Sequence, residues 1–208
     1  MSQEGRVVTN IPQSDVQPGQ LLADVERLTE GLGQLPEPMA EPCFIAISGL
    51  PGTGKSYFCG RLAERLPFLV LESDALRKVL FPMPGYSRQE SSRLFRAIHV
   101  LIERLLKKGV PIILDATNLS ERYREHLYSI AERLNVKLIL VRVEAPPEVV
   151  RERIKNRLED RGGRSDADWT VYQRMERTVQ RICRNHYVVD TSRDVTPVLD
   201  KIVREVNR

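Results

Sequence analysis

Cysteine is scarce in this chain. Cys43, Cys59 and Cys183 are odd in number and far apart, which fits neither a disulfide framework nor a zinc-ligand spacing; a reducing, cytoplasmic setting is expected. Long apolar runs are missing too. No stretch approaches the ~18 uninterrupted apolar residues of a membrane span, so no membrane partner is expected. The opening MSQEGRVVTN lacks the charged-then-apolar pattern of an export signal. Internal repeats and low-complexity tracts are absent, and 41% hydrophobic with 29% charged residues excludes a collagen, a coiled-coil rod or a largely disordered chain. Lysine is sparse beside arginine, 7 against 25, which favours fixed, forked anion contacts over point charges. At about 150 residues per domain, 208 residues suggest one domain with an appendage, long enough to bury a core without staples.

The mild net charge of +4 conceals an uneven distribution. In residues 1–42, seven acids face only Arg6 and Arg27, a net of −5, whereas residues 43–208 carry +9. Residues 1–19 are polar, with Pro12 and Pro18, and read as a mobile arm. From Gln20 to Leu32 the residues Leu21, Leu22, Val25, Leu28 and Leu32 share a helical face, which reads most simply as a short helix packed on the core. Pro36, Pro38 and Pro42 form a stiff connector. A domain of residues 43–208 then follows.

From Cys43 onward, short apolar runs alternate with helical patterns. Strands are expected at 44–48, 68–72, 111–114, 137–143 and 187–189, with helices at 55–66, 74–80, 88–108, 121–134, 148–161, 168–184 and 195–206. This alternation argues for an α/β fold: a parallel sheet between helical layers. Directly after the first strand comes Gly49-Leu50-Pro51-Gly52-Thr53-Gly54-Lys55-Ser56, a G-x-x-x-x-G-K-S phosphate loop opening a helix. A glycine-rich turn lets several backbone N–H groups converge on phosphate oxygens, and the helix start adds its positive dipole end. Gly49, Gly52, Thr53, Gly54, Lys55, Ser56 and the adjoining Tyr57 are the candidate nucleotide contacts. Lys55 is expected on the β- and γ-phosphates and the Ser56 hydroxyl on Mg²⁺.

The chain has no Asn-Lys-x-Asp guanine reader and no Leu-Ser-Gly-Gly transporter signature, and it is short for a motor ATPase with a second helical domain. A compact ATP-dependent kinase remains. The second strand runs out in Glu72-Ser73-Asp74, which puts Asp74 at the carboxyl end of a parallel strand, and Arg77 follows one turn later on the same helical face. A carboxylate there would orient an acceptor hydroxyl and take its proton, with a cation beside it for an anionic acceptor. The plain structural alternative is a helix-capping Asp with an ordinary surface partner. Asp115 ends the apolar third strand, where an acid near Mg²⁺ is expected. Asn118 is a candidate acceptor contact or a helix cap. Of the two arginines opening the next helix, Arg122 is the candidate for the acceptor and Arg124 reads as solvated. Arg153, Arg157, Arg161 and Arg164 recur at three- and four-residue spacing on one face, and the pattern bends at Gly162-Gly163, suggesting a helical lid at about 148–184 with one or two functional arginines. His99, His126 and His186 have no metal or triad spacing, and Trp169, Tyr172 and Met175 read as packing.

The phosphate loop, the Ser73-Asp74-Ala75-Leu76-Arg77 run, the Leu114-Asp115-Ala116-Thr117-Asn118-Leu119 run and Pro146 through Arg157 resemble, in this order, the kinase domain of bacteriophage-type polynucleotide kinases. They also resemble the wider P-loop kinase group with zeta toxins and gluconate kinases. The resemblance spans about residues 44–207. It implies a three-layer α/β/α P-loop sandwich with a five-stranded parallel sheet of order 2-3-1-4-5 under a helical lid. It also implies ATP and Mg²⁺ as cofactors, Asp74 on a 5′-hydroxyl, Arg77 on an acceptor phosphate, Asp115 supporting the site, and Arg153 or Arg157 on the donor phosphates. Adenine would lie between the lid and the loop holding Arg193. The implied acceptor is a polynucleotide 5′-hydroxyl, with a single-stranded nucleic-acid 5′ end as the partner. A metabolite, sugar or antibiotic hydroxyl is the alternative, and an ATP-binding regulator without phosphotransfer is the competing class. Only a kinase needs the Asp74 carboxylate.

Overall fold

A computed structural model describes residues 18–160 and 169–208. Its centre is β1 (Cys43–Ser48), every residue of which is buried. β1 pairs in parallel with β3 (Ile112–Asp115) on one side and with β4 (Lys137–Glu144) on the other. β2 (Leu69–Glu72) and β5 (Tyr187–Asp190) complete a parallel sheet of order 2-3-1-4-5, as the resemblance implied. The apolar runs lack alternation because both faces are covered. Phe44, Ala46, Ile112 and Leu114 pack into one core, with α1 (Pro18–Glu30), α3 (Ser73–Leu80), α4 (Arg88–Lys107) and α5 (Glu121–Leu134). Ile45, Ile47, Ile113 and Val141 pack into the other, with α2 (Lys55–Ala63) and α8 (Thr196–Val206).

Local signals set several boundaries. Ser87 and Glu90 form a capping box at the start of α4, which satisfies two orphan N–H groups. Asn135 ends α5 in the left-handed region at φ 52°, a conformation Asn tolerates well. α6 (Pro147–Asp160) takes Pro147 as its first residue, a position where the missing N–H of proline costs no helix hydrogen bond. Arg161, Gly162-Gly163, Arg164 and Asp168 of the expected lid lie outside the described residues.

Three expectations differ from the structure. The helix expected to run to Arg184 is α7 (Trp169–Glu176), which ends eight residues earlier. Beyond it the carbonyls of Gln180 and Arg181 both accept from Arg124 Nη2 at 3.0 Å, Gln180 N donates to Leu119 O at 3.0 Å, and Ile182 enters the core. These long-range bonds outcompete continuation of the helix. Arg124 is therefore not solvated: it is 1% exposed and also donates to Asn118 O at 2.7 Å. Third, Leu22 is not on the packed face of α1 but is exposed, while Val25, Leu28 and the charged Asp24 are fully buried.

The α4–α5 interface carries a pH-sensitive contact. The His99 and His126 rings lie 5.0 Å apart. Burial, with repulsion from His126, pushes the His99 pKa down to about 4. Unfolded His binds its proton near pH 6.5, so acid favours the unfolded chain throughout the window between 6.5 and 4. Stability is expected to fall by about 2 kcal/mol from pH 7 to pH 5 through this group. Denaturant midpoints of the wild type and His99→Phe at both pH values test it: the variant should lose less.

Candidate active site

The phosphate loop occupies the carboxyl end of β1, where open parallel sheets place ligands. Gly49 runs against β4 so closely that a Cβ would lie 2.3 Å from Val143 O, and its N–H donates to Thr117 O at 3.1 Å. Only glycine fits that approach. Gly54 caps α2 at φ 88°, in the left-handed region, and packs against Thr191. Gly52 lies beneath α6, where a Cβ would be 2.8 Å from Val150 Cγ1. Thr53 is buried, with its hydroxyl on Leu50 O at 2.8 Å. The loop thus presents its backbone at the start of a helix, as anion binding requires.

Lys55 Nζ also donates to Leu50 O, at 2.9 Å. Burial pulls its pKa below the usual lysine range, while Asp115 and Asp74 pull it back up and Arg157 opposes them. The structure thereby brings two expected acids and Arg157 of α6 within electrostatic reach of the expected donor lysine. The Ser56 hydroxyl donates to Asp115 Oδ2 at 2.6 Å. These two oxygens are hard donors and fit Mg²⁺. Among the described residues no group of three or more His, Cys, Asp or Glu is arranged around a metal. A cation here would therefore complete its shell from phosphate and water, the usual Mg²⁺ pattern.

Across the cleft, α3 presents Asp74, which is exposed, and Arg77, which is 6% exposed. Arg77 stacks over the Tyr86 ring, 4.8 Å from its centroid, and Nη2 reaches Ser91 Oγ at 3.4 Å. Its Nε and Nη1 are buried without a hydrogen-bond partner. Leaving buried donors of a charged group unpaired is costly, which suits a guanidinium that awaits an anion.

The two candidate arginines of α6 separate. Arg153 is tied down: Nη1 donates to Thr191 Oγ1 at 2.8 Å and Nη2 to Thr191 O at 2.9 Å. Arg157, one turn further along α6, is exposed and is the one whose charge reaches Lys55. Asn118 is turned inward, 3% exposed at φ 44°, with its side-chain amide donating to Ile47 O at 2.7 Å. That is a backbone-bracing role rather than an acceptor contact, and Ser120 makes no capping hydrogen bond. Arg122 is exposed at the start of α5, Tyr57 is exposed on α2 and accepts from Arg61, and Arg193 is exposed and paired with Asp190.

Two contributors escaped the sequence reading. Thr191 is a buried hydroxyl that donates to Thr53 O at 2.6 Å while accepting from Arg153, so it links α6 to the phosphate loop. Glu72 pairs in register with Asp115, and burial together with the Asp115 and Asp74 charges raises its pKa. Its position, closing a strand two residues before Asp74, was the available signal.

With this geometry in place, the relatives are informative. A family model described as an AAA domain matches residues 44–182. The chain belongs to this family, a P-loop kinase family. An adenylyl-sulfate kinase of Myxococcus xanthus (strain DK1622) is 29% identical over 108 residues, 50% of this chain and 58% of that protein. The match thus spans little more than half the length of that curated relative. The structure of the Mycobacterium tuberculosis APS kinase CysC, in complex with AMPPNP and APS, superposes with a TM-score of 0.63 at 17% identity, covering 83% of this chain and all (100%) of that one. A chain of the Pnkp1/Rnl/Hen1 RNA repair complex gives a TM-score of 0.57 at 20% identity, covering 67% of this chain and 44% of that chain. At these identities the superpositions speak for a shared fold.

Proposed function

We propose that the chain is an ATP-dependent kinase that transfers the γ-phosphoryl group to the hydroxyl of an acceptor carrying its own phosphate-type anion. The observation that carries this reading is Arg77, buried on α3 with Nε and Nη1 unpaired, one turn from Asp74, whose charge reaches Lys55. In this reading the backbone of residues 49–55 and Lys55 hold the donor phosphates, and Arg157 meets charge developing on the transferring group. Asp74 accepts the acceptor proton and Arg77 fixes the acceptor anion so that hydroxyl and phosphorus approach in line. Ser56 and Asp115 would hold Mg²⁺, which when bound neutralises charge on the β- and γ-phosphates.

The first acceptor is a polynucleotide 5′-hydroxyl end, supported by the net +9 of residues 43–208. A small nucleotide such as adenylyl sulfate is the second reading, favoured by the Myxococcus relative. Incubation with γ-labelled ATP and Mg²⁺, offering 5′-hydroxyl oligonucleotides, adenylyl sulfate and neutral sugars in parallel, tests both. Label on the oligonucleotide, falling steeply with salt, is expected for the first. Label on adenylyl sulfate alone overturns the first in favour of the second, and label only on neutral sugars overturns the anionic acceptor.

A further inference from the structure

The matched family region begins at residue 44, yet α1 precedes it and is built into the acceptor side of the cleft. Asp24, fully buried on α1, accepts a two-pronged pair from Arg93 of α4, with Nε and Nη2 each at 2.6 Å, and a third bond from Gln20 at 3.0 Å. One turn on, Arg27 Nη2 donates to Val79 O in the last turn of α3 at 2.7 Å. Arg93 also lies over the ring of Phe81, which ends α3, 5.3 Å from its centroid. Two residues before Arg93, Ser91 accepts from Arg77. One helix therefore grips both elements that flank the loop at 81–87, and its bonds end one contact away from the proposed acceptor cation.

Adhesion does not require the charged pair. Val25 and Leu28 already bury an apolar face against the core. A buried ion pair is often no more stabilising than apolar side chains of similar volume, but a forked pair admits only one relative placement of its two helices. That is the reason to keep a carboxylate at a core position of an otherwise apolar face.

We propose that α1 is a brace for the acceptor half of the cleft, and that Asp24 and Arg93 are positioning residues that hold Ser91, and through it Arg77, in acceptor-binding geometry. This rests on the acceptor reading above. The test uses the full chain with Asp24→Leu/Arg93→Met, which preserves apolar packing and deletes the fork. Melting temperature, hydrogen exchange, ATP affinity and steady-state kinetics with the acceptor found above are compared with wild type. A melting temperature no lower than wild type is expected, with amide exchange at residues 81–92 at least tenfold faster and exchange at 49–56 unchanged. The acceptor KM should rise about tenfold, with ATP affinity and kcat within about twofold. An unchanged acceptor KM, or equal rises for acceptor and ATP, overturns the brace. Faster exchange at 81–92 in a protein that phosphorylates nothing supports the brace and sinks the kinase reading. Should the double variant fail to fold, Arg93→Lys keeps the charge without the fork: a selective rise in acceptor KM supports the proposal, and a wild-type KM overturns it.

Discussion

Lys55→Ala is expected to lower kcat by about 10²–10³ or more, the range for removing one preorganised electrostatic contact from a transferring group. Lys55 is the cation at the head of α2, flanked by the Asp115 and Asp74 charges. Its ammonium is held by one carbonyl, Leu50 O, rather than by a carboxylate, so it remains available to phosphate oxygens. The fold should not suffer, because Gly54 at φ 88° and the Thr191–Thr53 bond set the loop without it. ATP turnover by stopped assay, beside a melting curve, separates the two effects. Wild-type turnover in the variant would remove the donor assignment.

Asp74→Asn is expected to keep ATP affinity within about threefold and to lose transfer by about 10²–10⁴, the general-base range. Asp74 sits in the first turn of α3 and its charge is one of two acids acting on Lys55, so a small effect on ATP is expected beside the large loss of transfer. Asn retains the size and one acceptor oxygen, leaving proton acceptance as the main loss. A nucleotide-gated binding protein would tolerate the substitution. Comparison of equilibrium ATP binding with single-turnover transfer decides between the two: parallel loss of both would mean that Asp74 serves the donor instead.

The alternation of strands and helices and the geometry of the phosphate loop were legible in the sequence because their determinants are local, whereas the sheet order followed from the resemblance to P-loop kinases. A glycine-rich turn between a strand and a helix dictates its own geometry, and Gly49, Gly54, Lys55 and Ser56 need only their neighbours in the chain to take position. Asp115 meets Ser56 because both follow adjacent parallel strands. Arg124 was illegible for the opposite reason: its partner carbonyls are 56 and 57 residues away, and nothing within α5 marks it as a buried strut. The same bonds end α7 early despite a continuing helical pattern. Asp24 and Arg93 are 69 residues apart, so nothing local in α1 marks its acid as a buried partner. Equal spacing could not choose between Arg153 and Arg157. Thr191, at the end of β5, makes the difference by capturing one of them.

The N-terminal acidity also acquires a different meaning. Asp24 is among the seven acids of residues 1–42, and it is spent inside the fold on Arg93 rather than offered to solvent. Removing residues 1–42 would therefore take away Val25, Leu28 and the brace together with the negative charge.

The most direct test of the central claim is single-turnover transfer from γ-labelled ATP to an anionic hydroxyl acceptor, by wild type and Arg77→Met side by side with neutral acceptors. The account predicts label on the anionic acceptor with wild type, and a loss of at least 10² with Arg77→Met at subsaturating acceptor while ATP binding is retained. Equal labelling of neutral and anionic acceptors, indifferent to Arg77, would contradict it.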